Sequence, residues 1–199
     1  MKRIRFAQLS DVPSLLHIYA PYVTDSVVTF EYEVPSQEEF ERRMMEIQQE
    51  YPYLICEIDG LIVGYAYAHR HMERAAYGWN AELSIYLDDA FYGRGIGRAL
   101  YTVLLKILHL QNIVNVYSCI TLPNEASMAL HASFGFERIG IYPHTGYKMG
   151  KWLDVIWLQK QLCSAEDAPE PLCSIELLDY VEIMQIFQYG EMMILEERL

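Results

Sequence analysis

The chain has 199 residues, of which 52% are hydrophobic and 21% charged, enough apolar content for a packed core and too much for a disordered chain. Its 27 acidic and 15 basic residues give a net charge of −12, which argues against nucleic acid or an anionic membrane as a general partner. The four cysteines form no CxxC pair or zinc-ligand spacing, and the sequence contains neither a signal peptide nor an apolar run of about 18 residues. We therefore expect a reduced, cytoplasmic protein that uses no metal.

The charge is concentrated at the carboxyl end. Residues 164–199 contain nine acidic residues and one basic residue, whereas residues 1–163 contain 18 acidic and 14 basic residues. This contrast and the Pro-Glu-Pro sequence at 169–171 predict a domain over residues 1–163 and an acidic amphipathic extension over residues 164–199. Apolar residues of the extension, such as Val181 and Phe187, indicate that it packs on the body or across a dimer.

A short strand and two helices are predicted in the first fifty residues. Ile4 and Phe6 alternate with basic residues, as in a strand. Ser10 and Asp11 are suitable N-cap residues for an apolar helix that extends to about residue 23. Ser36 and Glu39 form a capping-box pattern ahead of a charged helix that ends near residue 49.

Strand patterns follow. Asp59-Gly60 separates apolar runs at residues 53–58 and 61–68, which predicts a hairpin. Residues 69–79 are mixed and predict a loop. Residues 81–87 predict a strand, whose side chains point alternately to opposite faces. This alternation places Leu83, Ile85 and Leu87 on one face and Glu82, Ser84 and Tyr86 on the other.

A glycine-rich turn, Gly93-Arg94-Gly95-Ile96-Gly97, follows this strand and opens an amphipathic helix that extends to Leu108. Glycines at alternate positions expose backbone N–H groups, and a helix amino terminus favours anions, so the turn is suited to phosphate. A plain tight turn explains the same glycines equally well. The sequence lacks the GK[ST] of a P-loop, and Arg98 stands where a Rossmann fingerprint has its third glycine.

The sequence after this helix, up to residue 163, predicts three further strands, at 113–120, 137–142 and 152–162. Between the first two, Asn124 caps a helix that ends at Gly135. The helical spacing predicts Ala126, Leu130 and Phe134 as its inward residues.

The turn Arg94-Gly-Ile-Gly-Arg-Ala-Leu resembles the acetyl-CoA pyrophosphate loop of the GNAT superfamily of N-acetyltransferases, although Tyr92 replaces the usual Gln or Arg. Asn124-x-x-Ser127-x-x-Leu130-His131 resembles a second signature of that superfamily. Further blocks at 29–31, 74–82, 122–124 and 146–155 resemble the phosphinothricin/methionine sulfoximine N-acetyltransferases, in the same order. The resemblance spans residues 4–162 and leaves the extension outside it.

This resemblance implies an α/β (α+β) acyl-CoA N-acyltransferase fold, in which helices flank a mixed, mostly antiparallel sheet. It also implies a homodimer, acetyl-CoA as cosubstrate, and transfer to a small amino-acid-like amine by direct attack in a ternary complex. The implied cofactor contacts are the backbone of Ile85, Tyr86 and Leu87, the turn residues Gly93, Arg94, Gly95, Ile96, Gly97 and Arg98, and Asn124 and Ser127 beside the pantetheine arm.

Two residues are candidates for catalysis. Glu82 could deprotonate the amine directly, act through a water or bind the ammonium, but a free carboxylate is a weak base, and the position also suits a solvent-facing strand residue. His131 stands where many GNAT members have a tyrosine that protonates the leaving thiolate, and it also suits a solvent-facing helix position.

The resemblance implies five substrate-side residues: Phe30, Glu31, Arg74, Tyr77 and Trp79. Arg74 is suited to an amino-acid carboxylate, or it is an exposed loop residue. Phe30 and Trp79 are equally typical of core or interface aromatics.

Two other functions remain open. One is a GNAT enzyme that acetylates a protein N-terminus or a lysine; the 74–79 block favours the small amine over it. The other is a catalytically weak acyl-CoA-binding module whose acidic extension recruits a partner, which Tyr92 and the extension support.

Overall fold

One seven-stranded sheet organises the chain in this computed structural model, which describes residues 1–165 and 168–195. The spatial order is β1-β2-β3-β4-β5-β7-β6. The strands are β1 (Lys2–Phe6), β2 (Tyr53–Ile58), β3 (Leu61–Arg70), β4 (Asn80–Leu87), β5 (Asn115–Thr121), β6 (Glu137–Lys148) and β7 (Lys151–Gln161).

Five helices cover the two faces of the sheet: α1 (Val12–Thr24), α2 (Gln37–Gln48), α3 (Ile96–Leu110), α4 (Glu125–Ser133) and α5 (Tyr180–Met192). Helices α1 and α2 share one core with β2 and β3. Helix α3 packs on the opposite face of β2, β3 and β4, and α5 packs on α3 and β1. We call these the α1/α2 face and the α3 face.

The sheet is antiparallel except at its centre, where β4 and β5 run parallel. Their pairing is short: Asn80–Glu82 lie beside Asn115–Tyr117, and beyond Glu82 and Tyr117 the two strands separate. We call this point the fork. Because strands beyond a fork leave backbone groups unpaired, an extended ligand can add to the open strand there.

Most predicted elements are present. The Asp59-Gly60 turn joins β2 to β3 with positive φ at both residues, as the hairpin signal requires. Ser36 caps α2 by accepting a hydrogen bond from the Glu39 amide at 3.2 Å. The predicted loop 69–79 was too long, because β3 continues to Arg70 and the 3₁₀ turn Ala75–Tyr77 lies within the loop.

Two local predictions were wrong. Asp11 does not cap α1 with its side chain; its carboxylate instead accepts bonds from Arg5 and from the Gln8 amide, which lowers its pKa against the effect of burial. Helix α4 does not bury Ala126: the residue is exposed, Leu130 and Phe134 are half-buried against the α3 core, and the buried residue of the helix is His131.

The C-terminal extension folds back onto the body, as predicted. Ile183, Ile186 and Phe187 are buried against the α3 core, and Phe187 meets Phe6 edge-on at 5.2 Å. The Ile4 amide donates to Glu191 Oε1 at 2.9 Å, and Lys2 Nζ donates to the Ile194 carbonyl at 2.7 Å. The division of domains at residue 163 stays a prediction.

Gly190 is the closest approach of α5 to the body. A Cβ at this position would overlap Val103 and lie 2.9 Å from Ile4 Cδ1. We expect Gly190→Val to lower the free energy of unfolding by about 2 kcal/mol, because the extra methyl groups overpack this contact. Urea unfolding is the measurement, and Gln188→Val at an exposed position of α5 is the control. Equal stability of the two variants would contradict this docking of α5.

Candidate active site

Glu82 is the last residue of β4 that pairs with β5, so its side chain stands at the fork. Strand alternation turns it to the α1/α2 face, while Leu83 and Ile85 pack against α3. The side chain is 19% exposed, and its Oε2 lies 3.3 Å from Nδ1 of His71. Glu82 is therefore partly accessible to solvent without being a freely solvated surface residue.

His131 lies on the opposite face of the fork and is only 1% exposed, so the solvent-facing alternative is wrong. Its Nδ1 lies 2.7 Å from the Ser127 carbonyl, which only accepts, so Nδ1 carries the hydrogen in that bond. Nε2 then accepts from the Ser118 hydroxyl at 2.8 Å and lies 3.1 Å from the Tyr101 hydroxyl. Burial lowers the pKa of His131, which favours a neutral imidazole.

The space between the separated strands forms a narrow cleft of about 70 Å³. The cleft is lined by residues from both faces of the fork, including residues of β4 and α4 that the sequence predicts for the acetyl-CoA site. The lining residues are Val28, Leu83, Ser84, Ile85, Tyr86, Tyr101, Ser118, Cys119, Ile120, Thr121, Asn124, Ser127 and His131. Cys119 is exposed, but partial desolvation of its thiol and the charge of Glu82 raise its pKa to about 12, so this cysteine remains protonated at neutral pH and is a poor nucleophile.

The glycine-rich turn has the geometry of an anion site. Gly93 and Gly95 have φ of +78°, a left-handed conformation that glycine adopts without strain, and Gly95 is the N-cap of α3. The first turn of α3 begins with Ile96 and Gly97, which are buried. Their position at a helix amino terminus is suited to a pyrophosphate. The Arg94 guanidinium lies over the Phe91 ring at 4.8 Å, and Arg98 is exposed.

Tyr22 is a contact that the sequence did not predict. Its hydroxyl donates to the Leu87 carbonyl at 2.7 Å, accepts from the Leu87 amide at 3.2 Å, and lies 2.7 Å from the hydroxyl of Tyr92. Tyr92 thus helps to hold the end of β4. Because Tyr22 occupies both backbone groups of Leu87, the predicted pantetheine pairing is better suited to Ile85, two residues earlier on the same edge.

Asn124 and Ser127 both line the cleft. Asn124 Oδ1 accepts from the Ser127 amide at 3.1 Å, which confirms Asn124 as the helix cap. The Ser127 hydroxyl lies 3.4 Å from Nδ1 of His131, so the start of α4 is linked to the buried histidine.

The α1–α2 connection brings two predicted substrate residues to the α1/α2 face. Phe30 covers Gly146 of β6 so closely that a Cβ there would overlap the ring. Glu31 pairs with Arg43 and borders a cavity of about 120 Å³ that Tyr53, Tyr65 and Tyr67 also line. Lys148 fixes the connection through a 2.7 Å bond to the Thr29 carbonyl, and burial lowers its pKa.

The other three substrate-side residues lie in the connection between β3 and β4. Arg74 and Tyr77 are exposed in the β3–β4 connection. The Trp79 indole donates to the Glu170 carbonyl at 2.8 Å and is therefore bound by the C-terminal extension. Within residues 1–165 and 168–195, no hydrogen bond or ring contact joins these three side chains to Glu82. A single chain does not gather the whole predicted substrate site.

Two features are absent from the described parts of the chain. No group of three or more His, Cys, Asp or Glu side chains there is arranged to hold a metal ion. No helix there is long and apolar enough to cross a membrane.

An acetyltransferase (GNAT) domain model matches residues 4–157. The chain belongs to the GNAT acetyltransferase family. As a GNAT member it is an acetyl-CoA-dependent N-acetyltransferase, and the resemblance and the mixed α/β fold expected from the sequence are confirmed. The separated strands are suited to an extended ligand, and the glycine-rich turn is suited to a pyrophosphate.

Two relatives of this GNAT chain have named substrates. It is 34% identical over 157 residues to the phosphinothricin N-acetyltransferase of Streptomyces viridochromogenes, which spans 79% of this chain and 86% of that one. It is 31% identical to the L-methionine sulfoximine/L-methionine sulfone acetyltransferase of Pseudomonas aeruginosa, over 83% of this chain and 98% of that one.

Solved GNAT structures superimpose over most of the chain. A phosphinothricin acetyltransferase from Sinorhizobium meliloti, solved with AcCoA, has a TM-score of 0.82 at 34% identity and covers 85% of this chain and 93% of its own. A ribosomal-protein-alanine N-acetyltransferase from Brucella melitensis has a TM-score of 0.77 at 31% identity and covers 79% of this chain and 98% of its own. The two names differ in substrate class.

His131→Phe tests the buried network. The substitution leaves the buried Ser118 hydroxyl without its acceptor, which typically costs about 1–3 kcal/mol for an unsatisfied buried group. We expect a lower midpoint of thermal unfolding and a smaller loss of kcat than at Glu82. His109→Phe, which removes a histidine outside the cleft, is the control. A stable His131→Phe enzyme would contradict the network.

Proposed function

We propose that this enzyme moves the acetyl group of acetyl-CoA to the primary amine of a small amino-acid-like substrate of the phosphinothricin or methionine sulfoximine type. The observation that carries the proposal is the fork, which presents Glu82 on one face and the Ser118, Tyr101 and His131 network on the other. An amine that enters from the α1/α2 face meets the carboxylate beside the open edge of β4. Direct attack in a ternary complex suits this arrangement.

The two faces of the fork have different roles in the proton transfers of this reaction. The ammonium gives one proton to Glu82 and becomes a nucleophile. Its nitrogen then bonds to the acetyl carbon as the carbon–sulfur bond breaks, and the second nitrogen-bound proton ends on the sulfur. The products are an amide, a free thiol and one released proton. A neutral His131 serves this scheme by holding the Ser118 and Tyr101 hydroxyls in place on the α3 face of the fork.

The substrate-side residues favour an amino acid. Glu31 with Arg43 supplies a polar wall beside aromatic rings, and Arg74 offers a guanidinium for a carboxylate. Arg74 and Tyr77, both in the described part of the chain, are exposed and make no hydrogen bond or ring contact with Glu82, so we propose a homodimer in which the partner subunit helps to complete the pocket. Exposed aromatics of the β6–β7 hairpin, among them Trp152 at 61% exposure, support such a surface. We propose a cytoplasmic location, with residues 164–199 as an accessory segment.

A protein N-terminus is the second candidate acceptor, and the likeness to a ribosomal-protein-alanine N-acetyltransferase favours it. Thiol release from acetyl-CoA separates the candidates when methionine sulfoximine, phosphinothricin, the free amino acids and an alanine-terminated peptide are compared at equal concentration. We expect saturable turnover on the sulfoximine or phosphinothricin and a mass spectrum that shows one acetyl group on the amine. Faster turnover on the peptide would move the function to protein acetylation. Acetyl-CoA binding with no turnover on any amine would indicate the non-catalytic module.

A further inference from the structure

The side chain that contacts Glu82 is His71, a residue that neither the motifs nor the proposed mechanism uses. His71 follows the last residue of β3, and its ring extends over the α1/α2 face towards β4 and β5. Its Nδ1 lies 3.3 Å from Glu82 Oε2, and its side chain is 11% exposed. Such a contact between an imidazole and a candidate base is the arrangement that orients catalytic groups elsewhere.

Aromatic packing fixes the plane of the His71 ring. The ring stacks on Tyr117 of β5 with centroids 4.2 Å apart and planes within 8°, and it meets Trp157 of β7 at 5.4 Å and 72°. Tyr117 is itself the register partner of Glu82 in the short β4–β5 ladder. The ring that contacts Glu82 is thus held by the strand on the far side of the fork.

The chemistry of the contact between His71 and Glu82 shows which of the two atoms carries the hydrogen. An ionised carboxylate only accepts, so Nδ1 of His71 must donate to Oε2. Glu82 Oε1 makes no hydrogen bond to another side chain in the described ranges, so it is the oxygen left for the ammonium. A carboxylate held through one oxygen loses rotational freedom, which keeps the other oxygen in a productive position.

We propose that His71 is a positioning residue for Glu82: its Nδ1–H bond and its stacking on Tyr117 hold the carboxylate at the fork with Oε1 turned to the amine. The inference rests on the proposed function, since Glu82 must act on the amine for its orientation to matter. His71 acts through Glu82 and needs no contact with either substrate.

Two substitutions separate the hydrogen bond from the ring. His71→Phe keeps the stacking on Tyr117 and removes the donor, whereas His71→Asn keeps a donor near the Nδ1 position and removes the ring. We expect His71→Phe to lower kcat about 10- to 100-fold, the range typical of outer partners that orient a functional ligand, with the KM for acetyl-CoA unchanged. His71→Asn should recover part of that loss.

A double substitution gives the decisive comparison. If His71 acts through Glu82, His71→Phe in the Glu82→Gln background should cause little further loss, because the two residues work as a unit. His109→Phe is the control: it makes the same replacement at an exposed histidine of α3, whose Nδ1 contacts Cys163 and not Glu82.

The outcomes divide as follows. Loss of kcat in His71→Phe, partial recovery in His71→Asn and no added loss in the double variant support the inference. Wild-type kcat in His71→Phe, an additive loss in the double variant, or an equal loss in His109→Phe overturns it while the proposed function stands. Full activity of Glu82→Gln alone overturns this inference and the assignment of the base, but leaves acetyl transfer to the amine standing. No turnover by the wild type on any amine overturns the proposed function and this inference with it.

Discussion

Glu82→Gln is expected to lower kcat for acetyl transfer by about 10²- to 10⁴-fold, the range associated with loss of a general base. The amide keeps the size of the carboxylate and its place at the fork, but it cannot accept the proton of the ammonium. Affinity for acetyl-CoA should change little, because the side chain faces the α1/α2 side and the glycine-rich turn lies beyond the end of β4. Steady-state thiol release and titration of acetyl-CoA measure the two quantities separately.

The control for this variant is Glu137→Gln, which removes the same charge from an exposed position on β6. It should retain wild-type kinetics, so that a general effect of net charge is excluded. If Glu82→Gln also retained wild-type kcat, Glu82 would be a structural residue at the fork and the base would lie elsewhere.

Gly95→Ala is expected to raise the KM for acetyl-CoA about tenfold or more. A side chain at φ of +78° is strained by about 1–2 kcal/mol, so the free turn relaxes from the left-handed conformation. Acetyl-CoA must restore that conformation on binding, and each 1.4 kcal/mol spent there is tenfold in affinity. The new Cβ would also lie 2.8 Å from the Met193 carbonyl, and the Leu195 amide bonds to the Arg94 carbonyl at 2.8 Å, so the turn must shift against the extension. The KM for acetyl-CoA at saturating amine is the measurement.

Gly60→Ala provides a matched control, because Gly60 has φ of +84° in the β2–β3 hairpin and open space around its Cβ. It carries the same backbone strain at a distance from the turn. We expect a lower stability with an unchanged KM. A KM for acetyl-CoA that stays at the wild-type value in Gly95→Ala would show that the turn does not hold the cofactor.

Elements with a strong local pattern could be predicted from the sequence. The apolar period of α3 identified its buried residues, and Asp59-Gly60 identified the hairpin, because period and turn chemistry are properties of adjacent residues. The alternation of β4 placed Glu82 and Leu83 on opposite faces for the same reason.

Contacts between distant elements could not be predicted. His71 reaches Glu82 only because β3 ends beside β4, and Tyr117 supports it from a strand 35 positions after Glu82. Tyr22 was interpreted as part of the apolar stripe of α1, although its hydroxyl binds Leu87. His131 has no apolar character, yet three polar partners allow its burial. Each of these contacts depends on tertiary structure.

The central claim is direct transfer of the acetyl group to an amine at the fork, and the initial-velocity pattern tests it most directly. Thiol release would be measured over a grid of acetyl-CoA and methionine sulfoximine concentrations, with intact-protein mass spectrometry after acetyl-CoA alone. We predict reciprocal plots that intersect and a protein that retains no acetyl group, consistent with a Cys119 thiol whose pKa is raised to about 12. Parallel plots together with an acetylated Cys119 would contradict the account.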